Sequence, residues 1–438
     1  MAIAPKHVIF LGAGASVSSG YPLGDDLRKI WLASAGDLKK QVLDLVYGKE
    51  NRIRTGQHPA QFDNWVQPLA ESLKLFRNGC FGTIDEFCYL MRETKVQEVA
   101  NLKNVLRLVL GLHNPENEFT KSDYYPFIQK LFSDDLRALR NDLVVISFNY
   151  DVYLEWLLLR AFETRGAAYG NTPEVSLNLN GNVISCITSG FRGSAPALKS
   201  LAEENGFCLL KLHGMIAWPQ TITVGGKQAT PHCSFEHLFR PNISDTFQAL
   251  VSSDMAGSTP PILFPWEIMD KSAQILTAEK FPIKEDRSQQ WQPGGRTSAD
   301  PSVHAIFRTI WERARREVAN ATKISFVGLS MHEYLEGGFK YLFAGKEGSV
   351  DLVVTDHNGV RASGECWTVD SLDPNSAPAK VAKLLKNTCP NLRWNPRGRV
   401  RLENGATARP VHNLDSVKIR RNFEEFVVKE MNHGVKDG

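Results

Sequence analysis

The residues with the clearest chemical potential lie at the ends of apolar runs. The first is the turn Gly12-Ala13-Gly14-Ala15-Ser16, directly after the apolar run His7-Val8-Ile9-Phe10-Leu11. Glycines there let the backbone approach a pyrophosphate closely. A helix starting near Leu23 to Asp26 would offer unpaired N–H groups and the positive end of its dipole. Gly20 and Pro22 suggest a loop that bends over a ligand. Val17 stands where a hydride-transfer enzyme of this type carries its third glycine, and no strand ending in Asp or Glu follows about 20 residues later. Both departures weaken a dehydrogenase reading.

Asn149 and Asp151 follow the run Leu143 to Phe148. An Asn amide at a strand end can hold a ribose hydroxyl or orient a water, and Asp151 is equally well suited to cap the helix that it starts. His213 ends the run Cys208 to Leu212. It suits a general base near neutral pH or a satisfied core histidine. Gly328 and Ser330 end a fourth run, Ile324 to Val327. Gly328 permits close backbone approach, and Ser330 can bond a phosphate or ribose, or cap a helix. Asp356 and Asn358 end a fifth run, Val350 to Thr355, placed either for an adenosine ribose or for a simple Asx turn.

The elements that must hold these residues read as buried strands alternating with helices. The fold class is therefore α/β: a Rossmann-like, mostly parallel sheet with helices on both faces. A helix-rich stretch, about residues 36–138, falls between the first two strands and reads as a helical insertion lobe, with a helix start at Thr83 to Glu86. A helix over Val152 to Phe162 follows Asp151, and Val303 to Asn320 predicts another. The sequence VSLNL-NG-NVISCI predicts a hairpin at Asn180-Gly181. Residues 222–300, rich in Pro, Gly, Ser and Gln, read as an irregular insertion with one short strand at Pro261 to Phe264. Residues 1–360 form the nucleotide-binding domain, and 361–438 a C-terminal extension ending in a charged helix, Asp415 to Met431.

Composition narrows the function classes. Among 438 residues, 51 basic and 48 acidic side chains give a net charge of +3, which draws the whole chain neither to nucleic acid nor to anionic lipid. The cluster Lys418, Arg420, Arg421 reads as a solvated helix face, so no direct nucleic-acid binding is expected. Seven cysteines without C-x-x-C spacing argue against a disulfide framework and a structural zinc, and no metal is expected. No apolar run approaches the ~20 residues of a membrane span, and no signal peptide is evident, so a cytoplasmic location is expected.

The ordered set GAGAS-x3-G-x-P at Gly12 to Pro22, S-F-N-Y-D at Ser147 to Asp151, L-H-G at Leu212 to Gly214 and V-G-L-S at Val327 to Ser330 resembles the sirtuin-like (silent information regulator) family. The resemblance spans roughly residues 7–360. It implies NAD as substrate: Gly12, Ala13, Gly14, Ala15 and Ser16 at the pyrophosphate, Asn149 at the nicotinamide ribose or attacking water with Asp151 nearby, His213 as base, and Ser330 on the adenosine side. Protein-deacylating members carry two C-x-x-C pairs and G-I-P-D-F-R after the glycine loop. This chain has no such pairs and reads Gly20-Tyr21-Pro22-Leu23. The Ser-Phe-Asn-Tyr-Asp form and the helical insertion look more like the prokaryotic sirtuin-like NADases of anti-phage defence. That likeness implies a homo-oligomer, and a partner such as a DNA-translocating ATPase or an Argonaute-like protein. Two other readings stay open: an NAD- or ADP-ribose-sensing subunit without turnover, and a deacylase or ADP-ribosyl transferase.

Overall fold

The computed structural model describes residues 6–23, 26–28, 35–47, 60–79, 84–92, 94–113, 124–132, 140, 142–164, 178–179, 182–183, 208–216, 218–224, 227–234, 247, 262–268, 301–329, 335–347, 349–355, 366–368, 372–389, 393–394, 400–401, 407–408, 416–420 and 423–431. In chain order the elements are β1 (Lys6–Leu11), α1 (Ala35–Tyr47), α2 (Ala60–Asn78), α3 (Ile84–Met91), α4 (Val96–Gly111), α5 (Tyr124–Leu131), β2 (Leu143–Ser147), α6 (Tyr153–Thr164), β3 (Asn178–Leu179), β4 (Asn182–Val183), β5 (Cys208–Lys211), β6 (Trp218–Val224) and β7 (Lys227–Ser234). There follow α7 (Pro301–Asn320), β8 (Ala321–Val327), α8 (Glu336–Phe343), β9 (Ser349–Thr355), β10 (Cys366–Thr368), α9 (Ala377–Thr388), β11 (Arg393–Trp394), β12 (Val400–Arg401), β13 (Thr407–Ala408), β14 (Ser416–Arg420) and α10 (Phe423–Glu430).

Five parallel strands run β5-β2-β1-β8-β9, and β14 adds a sixth parallel strand beside β9. The near-continuous burial of β1, β2 and β5 explains their unbroken apolar runs: a strand covered on both faces has no solvent side to mark with polar residues. The alternation of β1 shows the two covers. Phe10 stacks on Phe326 and meets Phe339 and Phe343 of α8, whereas His7, of opposite parity, meets Phe426 of α10. The chain therefore folds as an α/β, Rossmann-like sheet with helices on both faces. From β1 the order proceeds one way through β2 and β5 and the other way through β8 and β9. The reversal lies between β1 and β8. Open α/β sheets bind ligands in the crevice outside the carboxyl ends of the strands at such a reversal.

Three expectations change. The segment expected to be helical from Asp415 is strand over Ser416–Arg420, and only Phe423–Glu430 is helix. Ser-Val-Lys-Ile-Arg alternates with period two, and β9 and β10 supply its hydrogen-bonding neighbours. The stretch expected to be irregular from residue 222 begins with an antiparallel ribbon, β6 and β7, flanking Gly225-Gly226, a dipeptide suited to tight hairpin turns. The short strand expected at Pro261 to Phe264 is not formed over Ile262 to Phe264, where Ile262 makes one isolated antiparallel bridge to Gly214, and Pro261 lies outside the described residues. The shorter predicted hairpin does form, with Asn178 opposite Val183 and Leu179 opposite Asn182. The helix expected with Thr83 as its N-cap begins at Ile84, in keeping with that expectation, and Thr83 itself lies outside the described residues.

Candidate functional site

The glycine loop leaves β1 and does not enter a helix at once. It makes two short 3-10 turns, Ala13–Ala15 and Val17–Ser19, the second closed by Gly20 at φ +82°, and α-helical residues appear only at Asp26–Arg28. The helix therefore begins within the expected range, Leu23 to Asp26, with Leu27 N donating to Leu23 O at 2.8 Å, and the two short turns fill the stretch before it. The amides of Gly12 and Gly14 donate to Val327 O and Gly328 O, and those of Ala15 and Ser16 donate back to Gly12 O and Ala13 O. These four are therefore engaged within the protein. The amides of the exposed residues Ala13, Val17 and Ser18 have no backbone acceptor among the described residues, so they are the loop's candidate anion donors.

The same contacts bind the loop to the end of β8. A methyl group on Gly328, which adopts φ +61°, would lie 2.2 Å from Ala15 N and 2.4 Å from Gly14 C. One on Gly12 would lie 2.5 Å from Gly328 O. Both positions require glycine because two backbones cross here in direct contact. Gly12, Gly14, Ala15 and Gly328 thus meet at the sheet's reversal point. Ser330 and Asp356 lie outside the described residues. Thr355, at the end of β9, accepts the Gly328 amide on its hydroxyl at 2.9 Å.

Ser16 is the hub of the opposite side. Its hydroxyl is buried and does not face outward to a phosphate. It accepts from Asn149 Nδ2 at 3.1 Å, meets Tyr124 Oη at 3.0 Å and donates to Asp151 Oδ2 at 3.4 Å. With Ser16's single proton on Asp151, the phenol of Tyr124 supplies its own. Burial, and then the charge of Asp151, push that phenol's pKa well up and keep the proton in place. Asp151 Oδ1 accepts from Tyr153 N at 3.1 Å, which caps α6, and the Asp151 carbonyl accepts from Lys211 Nζ. Lys211 also pairs with Glu155 at 3.4 Å, with both side chains buried. Burial raises the Glu155 pKa against the downward pull of Lys211. Asp151 therefore acts as a fastener between the glycine loop, α6 and β5.

Several buried polar atoms around the site, Tyr21 Oη among them, lack a hydrogen-bond partner among the described residues, and two of them stand at the strand ends. Asn149 Oδ1 and His213 Nε2 are buried and have no hydrogen-bond partner among the described residues. Ser147 on β2 is in register with Lys211 on β5, so Asn149 and His213 each stand two residues beyond the same rung. His213 sits among the rings of Phe148 at 5.0 Å, Tyr150 at 6.2 Å and Trp311 at 6.4 Å. Burial there lowers its pKa from 6.5 to about 3. The imidazole is neutral at physiological pH, as an acceptor must be. It is a weaker base than a general base near neutral pH would be, because burial among aromatic rings disfavours the charged imidazolium.

Two participants escaped sequence reading. Tyr124 lies 108 residues from Ser16, and nothing local marks it. Lys211 carried a usable signal, since a lysine inside an apolar strand requires a buried partner. Among the described residues, no three His, Cys, Asp or Glu side chains converge as a metal site would need, and no helix is long and apolar enough to cross a membrane. In comparisons with known proteins, no protein-family model matches the chain, and no curated protein matches it significantly.

Proposed function

We propose that the protein hydrolyses NAD⁺ to nicotinamide and ADP-ribose. The observation that carries this reading is the Ser16-held Asn149, whose Oδ1 is left open at the same rung as the open Nε2 of His213, beside the glycine crossing. The pyrophosphate would lie against the amides of Ala13, Val17 and Ser18. The nicotinamide ribose would reach Asn149 and His213. The C1′–N1 bond breaks with its electron pair passing to the pyridinium nitrogen, so nicotinamide leaves neutral from an oxocarbenium-like ribose. Water then bonds to C1′ and loses its proton to solvent. Asn149 Oδ1 accepts from the water or a ribose hydroxyl. A neutral His213 accepts from a second hydroxyl and so holds the sugar in line; its low basicity suits orientation better than outright proton removal.

The test is nicotinamide release by the wild type, Asn149→Ala and His213→Ala, each shown to be folded. A loss of about 10²-fold or more in each is expected. Unchanged turnover in both variants would sink the assignment. A second reading, an NAD- or ADP-ribose-sensing subunit, is favoured by one feature, the low basicity of His213. Tight NAD binding with no nicotinamide released, with and without a partner present, would select it. Turnover only on addition of an acylated peptide or an acceptor would select a deacylase or transferase.

By its resemblance to the prokaryotic sirtuin-like NADases, the protein acts in the cytoplasm as an effector of anti-phage defence by NAD depletion. It would be a homo-oligomer gated by a partner such as a DNA-translocating ATPase or an Argonaute-like protein. Mass in solution and NAD consumption, measured across protein concentration, test the gating: a fully active monomer contradicts it.

A further inference from the structure

The helical lobe touches both arms of the site through one helix. Just beyond the carboxyl end of α4, His113 Nε2 donates to Ser19 O at 2.9 Å, and the ring lies against Tyr21 at 4.4 Å between centroids. Ten residues earlier, about 15 Å along the helix axis, Lys103 pairs with Glu267 at 2.9 Å, both side chains about 95% or more buried. Glu267 belongs to the short strap 262–268. Its other carboxylate oxygen accepts from Phe264 N at 2.6 Å, and Lys103 lies 5.4 Å from the Phe264 ring centroid. One residue earlier the strap reaches the site: Leu263 N donates to His213 O at 2.9 Å, Leu263 O accepts from Tyr150 Oη at 3.3 Å, and Ile262 bridges Gly214.

The chain of contacts runs Lys103, Glu267, Phe264, Leu263, His213. Every link is a hydrogen bond, an ion pair or a peptide unit. A buried ion pair is an uneconomical way to hold two segments together, because desolvation cancels much of its attraction. It fixes a geometry more sharply than it stabilises one. We infer that Lys103 and Glu267 are positioning residues for His213: through the 262–268 strap, the helical insertion sets where the imidazole stands relative to the glycine loop that the same helix braces at its other end. This rests on the reading of His213 as a ribose-contacting residue. It deepens that reading by naming the lobe as the part through which a partner would tune the site.

The test uses the full chain and the double variant Lys103→Met with Glu267→Gln. This pair removes the attraction, leaves no unpaired buried charge and keeps an acceptor for Phe264 N. A second variant, Leu263→Pro, removes the donor to His213 O at the far end of the same chain. Both are expected to lower kcat about 10- to 100-fold, as a displaced contact residue does, with KM for NAD within about threefold. Combining them should add little to the larger single effect, because they cut one linkage twice. Additive losses in the combined protein would overturn the inference. So would unchanged kcat in folded variants.

A second readout separates this inference from the proposed activity. In protein labelled with ¹³C at the histidine ring, the His213 Cε1 resonance, assigned by its absence in His213→Gln, should shift in both variants. An unmoved resonance overturns the inference even if NAD is hydrolysed. A moved one supports it even if the wild type releases no nicotinamide, a result that would fail the activity alone.

Discussion

Replacing Ser16 by Ala tests the hub directly. The hydroxyl has three partners: Asn149 Nδ2 at 3.1 Å, Tyr124 Oη at 3.0 Å and Asp151 Oδ2 at 3.4 Å. The last is long, and Asp151 keeps its bond from Tyr153 N, so its loss costs little. The other two cost the Asn149 amide its described acceptor and the Tyr124 phenol its bond to Ser16, at about 1–3 kcal/mol each. The expected loss of stability is therefore about 2–6 kcal/mol, set against the roughly 5–15 kcal/mol that holds a typical domain folded. The functional loss has a separate origin. Without Ser16, nothing described fixes the rotation of the Asn149 amide, and its open oxygen no longer points at one place. A fall of about 10²-fold in kcat/KM for nicotinamide release is expected, corresponding to about 2.7 kcal/mol of transition-state stabilisation. Ser325→Ala is the control. Its hydroxyl is also fully buried and bonds His7 Nε2 at 2.8 Å, but on β8 away from the site. It should cost stability and leave kcat/KM unchanged. Urea melts and a nicotinamide assay on all three proteins decide the matter. If Ser16→Ala loses stability as expected yet turns over like the wild type, the hub has no part in aiming Asn149.

Further outcomes follow from the same geometry. Gly328→Ala must accept φ +61° and a Cβ 2.2 Å from Ala15 N; a loss of at least about 3 kcal/mol is expected by denaturant melt, and a melt matching the wild type would show that the crossing is looser than described. Burial depresses both His7 and His213, so the unfolded chain binds protons from about pH 6.5 downward while these two stay neutral when folded, His213 until about pH 3. Stability from this source is complete above pH 6.5 and falls as the pH drops, by at most about 1.4 kcal/mol per unit per histidine. Urea melts at pH 7.5, 6.5 and 5.5 should show a slope that flattens in His213→Gln; an identical slope would refute the assignment. Lys211→Met leaves Glu155 buried without its cation and removes the donor to Asp151 O, for about 3–5 kcal/mol. Lys211→Met with Glu155→Gln should recover much of that stability, and a double variant no more stable than the single would show that charge is not the cause.

The parts of the fold that were legible in the sequence are those set by local pattern. β1, β2, β5, β8 and β9 are apolar runs because each is covered on two faces, and the turn residues after them mark where the chain leaves the sheet. β14 was not legible. Its Lys418 and Arg420 suggested a wet helix face, yet Arg420 is 2% exposed and pairs with Glu430, which also binds Lys323 at 2.6 Å. Long-range pairing overrode composition there. In the site, the type and strand-end position of Asn149 and His213 could be read, because short motifs encode them. That Asp151 caps α6 could also be read, because the bond from Tyr153 N spans only two residues; that Ser16 holds Asn149 and that Lys103 reaches the His213 arm could not, because each joins segments separated widely in sequence.

The strand order has a consequence for the timing of synthesis. The two strands that flank the reversal point, β1 and β8, are neighbours in the sheet, with Phe10 opposite Phe326. β2 can dock on β1, and β5 on β2, as they emerge from the ribosome, but the Gly12–Gly328 crossing waits for some 320 residues of chain. Until then the glycine loop lacks the backbone that accepts the Gly12 and Gly14 amides. A ribosome-bound fragment that stops short of Gly328 cannot close the crevice, so if the protein does consume NAD, its nascent chains are harmless to the cell that makes them.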